Sequence, residues 1–129
     1  MNITVIDYTH LAADADFPPL DADKFGWEQY PQLAGDELPD RCWRSNVIVT
    51  IATPIGRAPM KQLAKLAMIV IAGANQELVD LEAARECNIA VSFVPDTQAE
   101  NPADVNTICS EVVANINAFI RGDERNRIL

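Results

Sequence analysis

Hydrophobic residues in this chain gather in short, nearly unbroken runs rather than alternating with polar ones. Asn46–Ile51 reads Asn-Val-Ile-Val-Thr-Ile, Ala67–Ala72 reads Ala-Met-Ile-Val-Ile-Ala, Ile89–Val94 reads Ile-Ala-Val-Ser-Phe-Val, and a β-branched run, Ile3–Ile6, lies near the start. A strand apolar on both sides is covered on both faces, as the strands of a parallel sheet are. Helix-length segments with their own punctuation lie between the runs. Arg57–Leu63 carries Pro59 near its start, and Val79–Glu86 is dense in strong helix formers and closes near Asn88, a residue that tolerates a left-handed cap. After Asn101-Pro102, the residues Val105, Ile108, Cys109, Val112, Val113, Ile116, Phe119 and Ile120 share one face at helical spacing, and the pattern stops at Gly122. Residues 11–43 hold Pro18, Pro19, Pro31 and Pro39 among many acids, and the pattern there places only a strand around Trp27–Tyr30 and a short helix near Asp36–Trp43. The alternation predicts one α/β domain over residues 1–129, a doubly wound five-stranded parallel sheet in three layers.

In such a flavodoxin-like sheet, ligands sit at the carboxyl ends of the strands, which directs attention to the loops that begin at Asp7, Thr50, Gly73 and Pro95. The first, Asp7-Tyr8-Thr9-His10-Leu11, has no glycine with which backbone amides could wrap a phosphate. A response-regulator receiver needs an aspartate after strand three and a lysine after strand five, where this chain has Thr50-Ile51 and Asp96-Thr97. A cobalamin domain needs a histidine two residues after its aspartate, and His10 comes three after Asp7. Charge narrows the partners further. Ten basic against nineteen acidic residues leave a net charge of −9, which repels a nucleic-acid backbone or an anionic membrane surface. Cys42, Cys87 and Cys109 are odd in number and form no Cys-x-x-Cys pair, so they read as small buried hydrophobes in a reducing compartment. With no signal-like start and no membrane-length apolar run, the expected location is cytoplasmic.

One stretch is far more specific. Ala72-Gly73-Ala74-Asn75-Gln76-Glu77-Leu78-Val79-Asp80-Leu81-Glu82-Ala83-Ala84-Arg85-Glu86-Cys87-Asn88-Ile89-Ala90-Val91, continuing to Val94-Pro95, resembles the A-G-x-G-x-D-x-V-D-L-x-A-A-x-x-x-G-I-x-V-x-x-x-P run of the D-isomer-specific 2-hydroxyacid dehydrogenases. Val47–Gly73 looks like the third strand, helix and fourth strand of the same family. Val112–Gly122 is similar to the helix with which those enzymes return to their substrate domain. The resemblance implies an oxidoreductase family that uses NAD or NADP. It also implies that the dinucleotide-binding domain, with the catalytic arginine, glutamate and histidine, would lie between Pro95 and Pro102, which here are nearly adjacent. No G-x-G-x-x-G occurs among the five glycines. The reading is therefore a stand-alone substrate domain that binds no cofactor of its own, is catalytically incomplete, and acts as a binding or interaction module. Its alternative is an NAD-dependent oxidoreductase on 2-hydroxy acids whose cofactor domain comes from a separate chain.

By the same resemblance, the backbone amides of Ala74 and Asn75 are the substrate-carboxylate site, assisted by a helix starting near Gln76, although the family's second glycine is Asn75 here and its aspartate is Glu77. The competing reading, an ordinary strand-to-helix turn inherited with the fold, is the simpler one. Ile51-Ala52-Thr53-Pro54-Ile55 forms an apolar lip that reads equally as core or as exposed surface. His10, the only histidine, has no cysteine nearby and only Asp7 and Asp14 as close acids, so it reads as a loop residue rather than a base or a metal ligand. Asp14, Asp16, Asp21 and Asp23 read as solvated loop, because Phe25 and Gln32 stand where a calcium loop needs oxygen ligands. A homodimer is expected through the final helix or through an apolar edge that includes Ile55.

Overall fold

A computed structural model describes residues 1–129 and contains five parallel strands. They are β1 (Asn2–Val5), β2 (Gly26–Gln29), β3 (Val47–Thr50), β4 (Met68–Ile71) and β5 (Ala90–Ser92), in the spatial order β2-β1-β3-β4-β5. In register, Val5 lies beside Val49, and Val49 beside Val70. Every residue of β3 and β4 is buried, and this is why those runs have no polar alternation. The order reverses between β1 and β3, so loops leaving the carboxyl ends on either side of that point diverge and leave room for a ligand.

Each face of the sheet has its own core. Ile48, Ile69, Ile71 and Val91 pack beneath three short helices, α1 (Leu38–Arg41), α2 (Arg57–Gln62) and α3 (Leu81–Glu86). Val49, Val70 and Ala90 on the opposite face meet Ile108, Val112 and Ile116 of α4 (Val105–Arg121). Gly122 ends α4 at φ 83°, where its amide bonds back to the carbonyls of Ala118 and Phe119. Asn88, at φ 57°, ends α3 in the way its sequence position suggests. The flavodoxin-like α/β class is thus realised, with one asymmetry. No α-helix links β1 to β2. Residues 11–20 instead lie across the α4 face as irregular chain with Leu11 and Leu20 in the core, and Phe17 meets Trp27 at a ring separation of 5.3 Å. Pro18, Pro19 and the scattered apolar residues give that segment anchors but no helical period.

Beyond α4, residues 126–129 lie along the outer edge of β5. The amides of Val91 and Phe93 donate to the carbonyls of Leu129 and Asn126, and Ile128 donates back to Val91. Arg125 holds this strap to α4 through Glu111 and Asn115. Hydrogen bonding from Arg125 keeps the Glu111 carboxyl below its ordinary range, against a smaller opposing effect of burial. The strap covers an edge that would otherwise present unpaired backbone groups.

Ser92 stands out inside the core. It is fully buried on β5, and its hydroxyl has no hydrogen-bond partner. Burying an unpaired hydroxyl is unfavourable, so Ser92→Ala is expected to stabilise the protein by about 1 kcal/mol in urea denaturation. A measurable loss of stability would show that the hydroxyl is satisfied in solution.

Candidate functional site

Two loops at the carboxyl edge of the sheet present runs of backbone amides, and they differ in what those amides meet. In the loop after β3, the amides of Ile51, Ala52 and Thr53 all donate to the carboxylate of Asp7, each at 2.8 Å, and the Thr53 hydroxyl adds a fourth bond at 2.7 Å. Asp7 follows β1 directly and is fully buried. An isolated carboxylate could not be held there at tolerable cost, but four donors replace its water shell. Thr50 hydroxyl donates to the Thr53 carbonyl at 2.7 Å and closes the turn. Outward from Asp7, the side-chain amide of Gln32 donates to the Thr53 hydroxyl at 3.2 Å, and the Gln32 carbonyl oxygen meets Nε2 of His10. The exposed His10 ends a single 3-10 turn, Tyr8–His10, in the connection after β1, where the sequence suggests plain loop, and lies at the end of a polar string.

After β4, the amides of Gly73, Ala74 and Asn75 donate to no acceptor in the chain. Gly73 sits at φ 149°, a conformation that side-chain-bearing residues rarely adopt, while its carbonyl accepts from Val94. Asn75 side chain accepts from the Glu77 amide. The helix expected from Gln76 is a single 3-10 turn, Gln76–Leu78, and the α-helix begins only at Leu81, after Asp80 accepts from the Ala83 amide. Val79 interrupts it because it is drawn into a bridge with Ile55. A single turn has too few aligned peptides for a useful macrodipole, so local amides supply whatever attraction an anion meets here.

These amides border a depression of about 300 Å³. Ile51 and Ala52 form one side, Ile71–Asn75 and Leu78 another, and Thr97, Gln98, Ala99 and Glu100 the third. This last wall is the junction between β5 and α4, and it is well tied down. Thr97 hydroxyl donates to the Val94 carbonyl, Gln98 amide to Asp104, and Ala12 amide to the Ala99 carbonyl. Thr97 and Ala99 are buried as a result. The site therefore draws on the loops after β3, β4 and β5, three of those the sequence pointed to, while Asp7 from the fourth braces it from behind.

Other expectations change. Ile55 is core: only 1% of it is exposed, its amide donates to Leu78, and its carbonyl accepts from Asp80. Ile51 and Val94 are also buried, whereas Ala52 and Pro54 are exposed. The apolar lip is therefore mostly core, and an interface patch built on Ile55 does not exist. Asp7 ties down residues 51–53, and the bridge with Val79 ties down Ile55. Of the surfaces named for a dimer, the final helix exposes Ile120 near its end, and the edge exposes Ala52 and Pro54. Asp14, Asp16, Asp21 and Asp23 are all exposed, and no three His, Cys, Asp or Glu side chains converge as a metal ligand set. Burial pushes the Cys42 thiol up to about 11 and raises that of Cys109, so neither is poised as a thiolate. No helix is long and apolar enough to cross a membrane.

A nicotinamide dinucleotide does not fit these residues. It needs a glycine-lined turn that brings strand and helix amides against a pyrophosphate. The turn after β1 has no glycine, and that after β4 has one, followed by a 3-10 turn. The depression is at the low end for small-molecule sites and contains no arginine, lysine or histidine.

Comparison with known proteins accords with this picture. The family model for the D-isomer specific 2-hydroxyacid dehydrogenase catalytic domain matches residues 9–129. Among solved structures, the chain is similar to D-lactate dehydrogenase from Escherichia coli (18% identity, TM-score 0.57, 74% of this chain and 31% of that one). It is also similar to 3-phosphoglycerate dehydrogenase from Entamoeba histolytica (19%, 0.58, 74% and 33%) and to the TT0316 protein from Thermus thermophilus (22%, 0.59, 74% and 31%). The chain thus spans about a third of the length of these proteins, and at such identities the likeness establishes the fold. No curated protein matches the sequence.

Proposed function

This chain belongs to the D-isomer specific 2-hydroxyacid dehydrogenase family through its catalytic domain, and from that premise we propose that it binds small carboxylates at the turn after β4 without itself carrying out hydride transfer. The observation that carries the reading is the contrast between two amide runs on one sheet edge. Amides 51–53 hold a carboxylate supplied by Asp7, whereas amides 73–75 have no internal acceptor and border a depression of ligand size. Exposed amides are ordinarily met by water, so freedom alone means little. Three in succession beside a walled depression give an anion several N–H donors within one short stretch. Charge opposes the binding: the protein carries −9, and no cation lines the depression. Affinity for a simple anion is accordingly expected to be weak, in the millimolar range or about −4 kcal/mol.

Hydride transfer needs a cofactor held against the substrate and a proton donor or acceptor within hydrogen-bond reach. The depression offers amides, apolar side chains, one threonine, two side-chain amides and one carboxylate. It can orient a carboxylate, but it holds no histidine, lysine or arginine that could pass a proton to an adjacent carbonyl as hydride arrives. The family match favours a second reading, in which another polypeptide completes an oxidoreductase across this edge.

Amide chemical-shift mapping with lactate, glycerate and sulfate tests the first reading. Saturable shifts centred on residues 73–78 and 97–100 are expected, with none on titration with NADH. Shifts confined elsewhere on the protein would sink it, and NADH binding or turnover of a 2-oxo acid by the purified chain would favour the second.

A further inference from the structure

Which carboxylates suit the depression is decided by its third wall. In this chain the residues between β5 and α4 fold back over the turn after β4 and bring Gln98 and Glu100 to the same depression as the free amides. The ionisable inventory of that depression is one group, the carboxylate of Glu100. One side of the cavity thus offers N–H donors to an anion, and another offers an anion of its own, with Ile51, Ala52 and Leu78 as an apolar flank. A 2-hydroxy acid would match only the first of these and would bring a full negative charge beside Glu100 on a protein already at −9.

We infer that the preferred ligands of this site are zwitterionic amino carboxylates with a small apolar side chain, the carboxylate taken by amides 73–75 and the ammonium facing Glu100. The inference rests on the carboxylate reading proposed above and deepens it. A zwitterion has no net charge, so the protein's field does not oppose its approach, and its ammonium pairs with the one charged group on the wall. A short side chain then lies along Ile51 and Leu78, for which the depression of about 300 Å³ has room. Glu100 is exposed, so its pairing with an ammonium is screened and modest, worth about fivefold in affinity at low salt and less at high salt.

Alanine and lactate differ at one position, ammonium against hydroxyl, and are the probes of choice. Titration of the whole chain with each, followed by amide shifts at residues 73–75, is expected to give about fivefold tighter binding for alanine at low salt. That preference should shrink as salt is added. Glu100→Gln should weaken alanine, strengthen lactate, and leave thermal unfolding unchanged, because the side chain is on the surface. Equal affinity for both acids, or a preference untouched by Glu100→Gln, would overturn the amino-acid inference while leaving the carboxylate site standing. Failure of both acids to shift residues 73–75 would overturn the carboxylate reading itself.

Discussion

Replacing Asp7 with alanine is expected to cost about 4 kcal/mol, by analogy with breaking a buried charged network from one side. The loss has a definite origin. Without the carboxylate, the amides of Ile51, Ala52 and Thr53 and the Thr53 hydroxyl lose their common acceptor, and at least Ile51 and Thr53 are buried where water does not reach freely. Set against a typical total of roughly 5–15 kcal/mol, this is a large fraction of the stability, and melting should fall by roughly 12–20 °C. Asp7→Asn keeps the volume and one acceptor oxygen but turns an NH₂ group towards N–H donors, so an intermediate loss of about 2 kcal/mol is expected. Urea denaturation of the three proteins measures the series. A loss below about 1 kcal/mol for Asp7→Ala would mean that the loop after β3 finds other partners, and the clamp would lose its importance.

Asn75→Pro separates backbone from side chain at the candidate site. Asn75 has φ −81°, within reach of proline, so the substitution removes one N–H donor with little conformational demand at that residue. Hydrogen bonds to a charged partner contribute roughly 1.5–3 kcal/mol, so affinity for a small carboxylate is expected to drop about 10- to 100-fold. Asn75→Ala keeps the amide and should bind as the parent does, losing only the cap that the side chain gives to the Glu77 amide. Amide-shift titrations of both variants, with thermal unfolding as the control on folding, decide the matter. Equal weakening in the two variants would assign the role to the Asn75 side chain. Unchanged binding in Asn75→Pro, with folding intact, would remove the amide from the site.

The parallel sheet, its strands, the last helix with its stop at Gly122, and the family likeness were all legible in the chain, because each depends on local pattern. A both-faces-buried strand has to be apolar throughout, as β3 and β4 are, and a helix lying on a sheet has to repeat its apolar residues as Val105 to Ile120 do. The order of residues from Ala72 to Pro95 carried the family in the same way. Polar groups that act across the fold left no such trace. Asp7 reads as one aspartate at a strand end, and its partners are 44 to 46 positions away. Only the pairing of β1 with β3 makes it a buried clamp that holds Ile51 in the core, while the bridge with Val79 and the bonds to Leu78 and Asp80 hold Ile55 there.

The candidate site divides along the same line. Gly73, Ala74 and Asn75 could be marked from their place after β4, but their state could not. Val79 pairs with Ile55 instead of continuing a helix, so the turn keeps free amides without a macrodipole behind them. The junction after β5 looks like a mere connection when read in order. Folding bends it over the turn and fastens it through Val94, Ala12 and Asp104, and so places Glu100 beside the amides of a segment well before it in the chain. Local periodicity therefore determined which elements form, whereas long-range hydrogen bonds decided where their connecting loops came to rest. Pattern is set by burial, which neighbouring residues share, but a hydrogen bond needs a specific donor at a specific distance, and only the assembled sheet brings donor and acceptor together.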